Sequence, residues 1–309
     1  MAFNENTRVK IPAILHFVRL GYQYISLKNS VRDEQTNIFT EIFAESIAKI
    51  NEGIENDEVK RLLQDVSLLL DNEDLGQAFY QKLIAKSGTR LIDFENFENN
   101  TFNVVTELTY KNGDEEFRPD IILLVNGMPL AFVEVKKPNN KDGVLDERNR
   151  INTRFQNKKF RKFVNITQLM VFSNNMEYDS DEVEPIQGAF YATSSYFNPI
   201  FNYFREDANF ESKTPLLVED DEFENFVLKD TNLIAIKHSP EFITNKDPNS
   251  PTNRISTSLF SKDRLKFILR YAIAYVKEEK GFEKHIMRYP QIFATKAIEN
   301  TIKKNIKKV

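Results

Sequence analysis

The segment RPDIILLVNGMPLAFVEVKKP, residues 118–138, constrains the fold of this chain more than any other. Two apolar runs flank NGMP, and Asn-Gly between such runs is a strong hairpin signal. A four-residue turn from Asn126 to Pro129 sets Val125 opposite Leu130 and Ile121 opposite Glu134. Asp120 then lies beside Glu134 and Val135 on the adjoining strand. Glu134 and Lys136 are two apart, so both project from one face. The hairpin therefore gathers Asp, Glu and Lys at one point. Glu-x-Lys alone occurs in most charged chains, and a solvated strand face with weak cross-strand pairing is the plain alternative. Yet LAFVEVK is otherwise apolar enough for a central strand, which rarely carries two charges without a reason.

Those residue types suit a magnesium site for phosphodiester hydrolysis. Mg²⁺ takes oxygen ligands and keeps several waters, so Asp120, Glu134 and a backbone carbonyl, most naturally that of Val135, would hold it. Such an ion lowers the pKa of bound water, and an ammonium at Lys136 would orient that water and offset developing charge. Composition removes most competing chemistries. The chain has no cysteine, and its three histidines (His16, His238, His285) show no metal-ligand spacing. Thiol catalysis, disulfides and Cys-ligated metals are excluded. Only 9 glycines among 309 residues leave little room for glycine-rich dinucleotide loops. A net charge of −4 argues against coating nucleic acid through bulk charge but permits a local basic groove. No apolar run is long enough to cross a membrane and the N-terminus lacks a signal-peptide stretch, so a soluble cytoplasmic protein without a membrane partner is expected.

The length accommodates about two domains. Residues 31–50 carry Ile38, Ile42, Phe43, Ile47 and Ile50 at helical spacing, with Ser30 as N-cap and Asp33 and Glu34 in the first turn. Shorter helices are expected over 57–70 and 75–87. The period then changes to two: FNVVTELTY (102–110) reads as a strand, followed by a KNGD turn, the hairpin, a basic helix over 148–162, and strands at 166–173 and 189–193. A mixed central β-sheet flanked by helices follows, an α/β fold. EYDSDEVEP (177–185) reads as a solvated loop, 205–250 as a connecting lobe ending in a flexible TNKDPNSPTN link, and 261–280 and 290–305 as closing helices.

Pro119-Asp120 followed by Glu134-x-Lys136 on the next strand resembles the PD-(D/E)xK nuclease superfamily. More specifically, the chain resembles the N-terminal part of the R subunit of type I restriction endonucleases. The resemblance rests on RDEQTNIF at 32–39, FRPDIILLVNGMPLAFVEVKKP at 117–138, RFQNKKFRKFVNITQLMVFSN at 154–174 and YPQIFATKAIENT at 289–301. It implies a restriction-endonuclease-like domain over 1–204, a connecting lobe over 205–260, and helices over 261–309 leading into an ATP-driven motor. It also implies Asp120 and Glu134 as metal carboxylates, Lys136 as the catalytic lysine, and Mg²⁺ as cofactor, with Mn²⁺ able to substitute. The family's Gln-x-x-x-Tyr element falls on Gln156 and Phe160, so the phenol is missing. A glutamate on the first helix near the metal would be Glu34, or Glu41 further along.

Residues 148–162 hold seven Lys or Arg and no acid. Arg150, Arg154, Lys158 and Arg161 would form one helical stripe able to follow a DNA backbone without reading sequence, with Lys137 a further phosphate contact. A solvated helix face balancing the acidic loop is the bland alternative. No GxxxxGK[ST] loop occurs, so ATP would serve only the motor, expected just past the NTIKKNIKKV end of what reads as a fragment. The resemblance implies double-stranded DNA and the methyltransferase and specificity subunits as partners. The rival reading, from a different class, is a docking and DNA-guiding module without activity of its own.

Overall fold

The computed structural model describes residues 5–138, 143–177, 188–197, 199–205, 214–279 and 281–306. Its centre is a mixed seven-stranded sheet: β1 (Gln23–Tyr24), β2 (Phe102–Thr106), β5 (Ile121–Val125), β6 (Met128–Val135), β7 (Leu169–Ser173), β8 (Ala189–Ala192) and β9 (Asn202–Phe204), in that spatial order. The β1–β2 and β6–β7 pairs are parallel and the others antiparallel. Every residue of β5 and β6 is buried, as continuous apolar runs in a doubly covered sheet require. Alternate side chains feed two cores. Ile121, Leu123, Val133 and Val135 face helices α1 (Ile11–Arg19) and α2 (Thr40–Ile50), among others. Ile122, Leu124 and Phe132 face α5 (Gly143–Gln156) and α6 (Arg161–Ile166) through Ile151, Phe155 and Phe163. The expected mixed sheet flanked by helices, of restriction-endonuclease-like form, is what the chain adopts.

The hairpin register differs from the sequence reading by two residues at the turn and by one at the site. Asn126 (φ +50°) and Gly127 (φ +76°) alone form the turn, so Val125 pairs with Met128. Their positive φ values match the strand twist of a tight type I′ turn. A bulge at Leu123/Leu124 then adds one residue, and Ile121 pairs with Val133 instead of Glu134. Asp120 thereby comes opposite Glu134.

Several helix boundaries also differ. Residues 31–39 form turns, because Asn37 takes φ +55° and helix α2 starts only at Thr40. The strand from 102 breaks at Glu107 (φ +58°), and Tyr110–Asn112 (β3) and Glu115–Phe117 (β4) form a separate two-stranded ribbon. Helices α3 (Asn56–Leu69) and α4 (Gln77–Leu83) stand where expected, the latter shorter than 75–87. The basic helix ends at Gln156, with a 3-10 turn at Lys158–Phe160 before α6.

Residues 214–306 are more ordered than the reading of a lobe and link implied. They hold α7 (Asp221–Asp230), α8 (Pro240–Asn245), α9 (Pro251–Phe260) and α10 (Lys262–Phe267). The supposed flexible link is a short turn stapled by Asn253 Nδ2, which donates to the carbonyls of Asn245 and Asp247. Helix is not maintained to residue 280: β10 (Ile273–Glu278) pairs antiparallel with β11 (Gly281–Ile286). The closing helix α11 spans Tyr289–Ile306. Most of the acidic EYDSDEVEP stretch lies outside the described residues.

Candidate metal and phosphodiester site

Where β5 begins and β6 ends, the chain brings Asp120, Glu134 and Lys136 together on the α5 side of the sheet. Asp120 Oδ2 accepts the backbone N–H of Val135 at 3.0 Å. Lys136 Nζ lies 4.0 Å from Asp120 Oδ2 and 4.0 Å from Glu134 Oε2. Glu134 is buried. Burial raises its pKa well above the ordinary value, as do the charges of Asp120 and Glu147 and a hydrogen bond with Asp120; Lys136 opposes them. Burial alone would lower Lys136, but Glu134, Asp120, Glu147 and Glu5 outweigh it and raise its pKa, so the ammonium stays charged.

Two acidic residues that the sequence reading missed complete this corner. Glu147 of α5 is buried, with Oε2 3.5 Å from Lys136 Nζ. It also binds the guanidiniums of Arg150 and Arg154, each at 3.1 Å. Two members of the proposed basic stripe are thus directed at a carboxylate on their own helix, and Arg154 additionally stacks 4.1 Å over the Phe117 ring. The second acid is Glu5, whose carboxylate accepts the backbone N–H of Lys137. Burial raises its pKa and Asp120 adds to this, while Lys136 and Lys10 pull the other way.

Glu5 and Lys10 both face this corner although five residues separate them. On an α-helix that spacing leaves side chains about 140° apart. Residues Asn6–Lys10 instead form a π turn, in which the Ile11 N–H reaches back to the Asn6 carbonyl. The i→i+5 pattern stacks residues five apart and is frequent at functional sites.

The helix glutamates expected beside the metal lie elsewhere. The Phe39 N–H donates to the Gly127 carbonyl, so α2 and its exposed Glu41 sit at the turn end of the hairpin. The site is at the opposite end, roughly 20 Å away along β6. Glu34 is exposed and lines a cleft of about 520 Å³ with Lys111, Lys158, Lys159, Arg161 and Lys162. Gln156 is exposed at the end of α5, and Phe160 is buried in the aromatic cluster around Phe117 and Phe163, so no polar tip is presented there. Arg161 pairs with Glu73 at 2.6 Å. Lys137 is half-buried beside the site.

Asp120 and Glu134 offer a divalent cation what its chemistry needs. They are oxygen donors close enough to share a proton, in surroundings where burial and the neighbouring carboxylates raise Glu134's proton affinity. Among the described residues no three His, Cys, Asp or Glu side chains are grouped to hold a metal ion. Backbone oxygen and water would therefore complete the sphere, as suits Mg²⁺.

The type I restriction enzyme R protein N-terminus family matches residues 2–179. Three similar relatives come from Methanocaldococcus jannaschii. The protein named as the MjaIXP endonuclease subunit of a type I restriction enzyme is 29% identical over 203 residues, 56% of this chain and 19% of the relative. The MjaVIIP endonuclease subunit is 25% identical over 213 residues, 67% of this chain and 16% of the relative. The MjaVIIIP endonuclease subunit is 36% identical over 58 residues, 19% of this chain and 6% of the relative. The aligned regions thus span less than a fifth of each relative. Together with the sheet and the hairpin, the match over 2–179 places this chain in the type I restriction enzyme R protein N-terminus family.

Proposed function

We propose that the chain is the nuclease domain of a type I restriction enzyme R subunit, cutting double-stranded DNA without sequence preference. An ATP-driven translocase outside this sequence would deliver the DNA, alongside methyltransferase and specificity subunits. The observation that carries the reading is the meeting of Asp120, Glu134 and Lys136 in one corner of a buried sheet, both carboxylates lying 4.0 Å from the Lys136 ammonium.

Asp120, Glu134 and the Val135 carbonyl would hold Mg²⁺, or Mn²⁺ in its place, and Glu5, which shares the electrostatics of Asp120 and Lys136, would fix a water of that ion. When bound, the ion supplies an activated water and neutralises charge on the scissile phosphate. Lys136, kept charged by its four acidic neighbours, donates a hydrogen bond to the attacking water and offsets negative charge on the phosphorane oxygens. Val135 N–H locks the Asp120 rotamer, which holds a carboxylate oxygen toward the same point. Glu147 keeps the Lys136 stem against α5. Lys137, next in the chain to Lys136 and half-buried, would contact a DNA phosphate beside the site. Lys158 and Arg161 line a cleft that could guide the backbone, with Gln156 at its margin; Arg150 and Arg154 would have to leave Glu147 to contribute.

The test is plasmid nicking with Mg²⁺ or Mn²⁺ by this chain, by Asp120→Ala and by Lys136→Ala, repeated in the full R subunit with its motor. The reading expects cleavage lost in both variants while ATP hydrolysis by the full subunit persists. Cleavage surviving Lys136→Ala would remove the assignment. Failure of every form to cut, with no metal bound, would favour the docking module.

A further inference from the structure

Lys10 is a lysine buried among acids that the proposed chemistry does not use. Its side chain is 6% exposed; Nζ lies 2.6 Å from Glu107 Oε1 and 4.0 Å from Asp120 Oδ1. A buried ammonium costs several kcal/mol unless it is well paired, and a methionine would fill the same volume. Asp120 is thus flanked by two cations, Lys136 on the Oδ2 side and Lys10 on the Oδ1 side.

Glu107, the other partner of Lys10, is itself unusual. It takes the left-handed conformation at φ +58°, which a non-glycine residue holds only where its surroundings fix it. Its N–H donates to the Asp120 carbonyl at 3.1 Å, and the neighbouring Thr106 hydroxyl donates to the same oxygen at 2.9 Å. Glu107 therefore grips the Asp120 backbone, and Lys10 grips Glu107. Arg118 adds only a looser, exposed contact at 3.7 Å. The π turn ending at Lys10 brings this lysine and Glu5 onto one face.

We infer that Lys10 is a positioning residue of the metal site: through Glu107 it fixes the backbone and carboxylate of Asp120 from the side opposite Lys136. This deepens the nuclease reading, and rests on Asp120 binding a cation. Simple electrostatics and positioning predict opposite signs. Removing a cation 4.0 Å from a ligand oxygen would strengthen metal binding if charge were all that mattered. Loosening an outer partner of a ligand weakens it, by about tenfold or more.

The experiment measures Mn²⁺ affinity by electron paramagnetic resonance for the unaltered chain, Lys10→Met, Lys10→Arg and Asp120→Ala. Thermal midpoints and amide exchange at Glu107 are taken without metal. Lys10→Met should bind Mn²⁺ about tenfold more weakly and exchange the Glu107 amide faster at a little-changed midpoint, and Lys10→Arg should recover most of the affinity. Should Lys10→Met fail to fold, Glu107→Gln serves instead. Its side chain is 42% exposed; because freeing Lys10 to close on Asp120 would weaken Mn²⁺ binding by charge alone, this variant is read by the backbone amide at position 107, which should exchange faster once Lys10 no longer holds the residue. Unchanged or tighter binding in Lys10→Met, or unchanged exchange of that amide in Glu107→Gln where that is used, overturns the inference, as does an unaltered chain with no Asp120-dependent Mn²⁺ site. A chain that binds Mn²⁺ in the Lys10-dependent way yet never cuts DNA would defeat the nuclease reading alone.

Discussion

Glu147 Oε2 lies 3.5 Å from Lys136 Nζ, closer than either of the two carboxylates that this ammonium would serve, each at 4.0 Å. Glu147 has three cations around it, whereas Asp120 has Lys10 and Lys136 only at 4.0 Å and Glu134 has Lys136 at the same distance. The arrangement tethers Lys136 toward α5 and leaves negative charge uncompensated where a metal would sit. Glu147→Gln should release that tether and let Lys136 close on Asp120 and Glu134. Mn²⁺ titration should then show weaker binding than in the unaltered chain; equal or tighter binding would mean that Glu147 does not restrain the lysine.

The raised proton affinity of Glu134 carries a pH signature. The folded, metal-free chain keeps the Glu134 proton to higher pH than the unfolded chain does, because of burial, Asp120 and Glu147. The associated stability is complete below the ordinary glutamate range and is lost as pH rises through the folded value. In chelator, the thermal midpoint should therefore fall relative to Glu134→Gln as pH rises above the ordinary glutamate range, and Mg²⁺ should reverse the fall. A difference between the two proteins that stays flat with pH would contradict the assignment.

The asymmetry in the hairpin can be read from its register. Asp120, Glu134 and Lys136 were legible in the sequence because a span of seventeen residues with an Asn-Gly pair in it brings them together with local geometry alone. The one-residue difference in their pairing comes from the turn, which takes two residues where four are expected; the bulge at Leu123/Leu124 restores one of the two residues of shift, and no side-chain pattern announces it in so uniform an apolar run. Glu5 was invisible for another reason: it reaches the site only through docking of the N-terminal helix and the widened turn at Asn6–Lys10, both tertiary events. Glu147 stood next to a basic run whose charges were read as free. At Ile273–Glu278, apolar residues fit a helical and a strand period equally well, and pairing with Gly281–Ile286 decided for strand.

Gly127 and Gly113 separate backbone strain from packing. Both take positive φ, +76° and +65°. A Cβ at Gly127 would lie 2.7 Å from the Phe39 carbonyl oxygen and 2.8 Å from the Phe43 nitrogen, whereas at Gly113 it meets open space. Gly127→Ala should cost about 2–4 kcal/mol and Gly113→Ala about 1 kcal/mol in urea denaturation. Equal losses would show that α2 does not seat on the hairpin turn as described.

Basic residues should differ in what they lend to DNA binding. Lys158 is exposed and, among the described residues, has no ion pair, while Arg154 is held by Glu147 and Phe117. Lys158→Ala should lower the slope of log affinity against log salt by about 0.9. Arg154→Ala should leave that slope nearly unchanged and lower the thermal midpoint instead. The reverse pattern would place the DNA path along α5.

Lys284 of β11 is buried, and burial drives its pKa well below the ordinary value despite the charge of Asp74. Its Nζ donates to the Thr167 carbonyl at 2.7 Å, but the Ser194 hydroxyl donates to that oxygen too, at 3.1 Å. Lys284→Met would thus leave no orphaned acceptor, and should be neutral or stabilising by about 1 kcal/mol at neutral pH. Because the unfolded chain binds this proton more readily, the gain should shrink as pH rises toward the lysine range. Marked destabilisation by the substitution would show that the ammonium has a structural partner.

The buried turn at Asn126-Gly127 also bears on how the protein ages. In a flexible chain, the glycine nitrogen after an asparagine attacks the side-chain amide and closes a succinimide, so Asn-Gly is the dipeptide most prone to deamidation. Here Asn126 is fully buried; its Oδ1 accepts from the Thr101 N–H, and its Nδ2 donates to the Leu91 carbonyl and to Asn100 Oδ1. Those bonds fix the amide away from the attacking geometry for as long as the sheet stays closed. Isoaspartate at position 126 would accumulate only during excursions out of the native state, so its level in a stored sample records the time each molecule has spent unfolded.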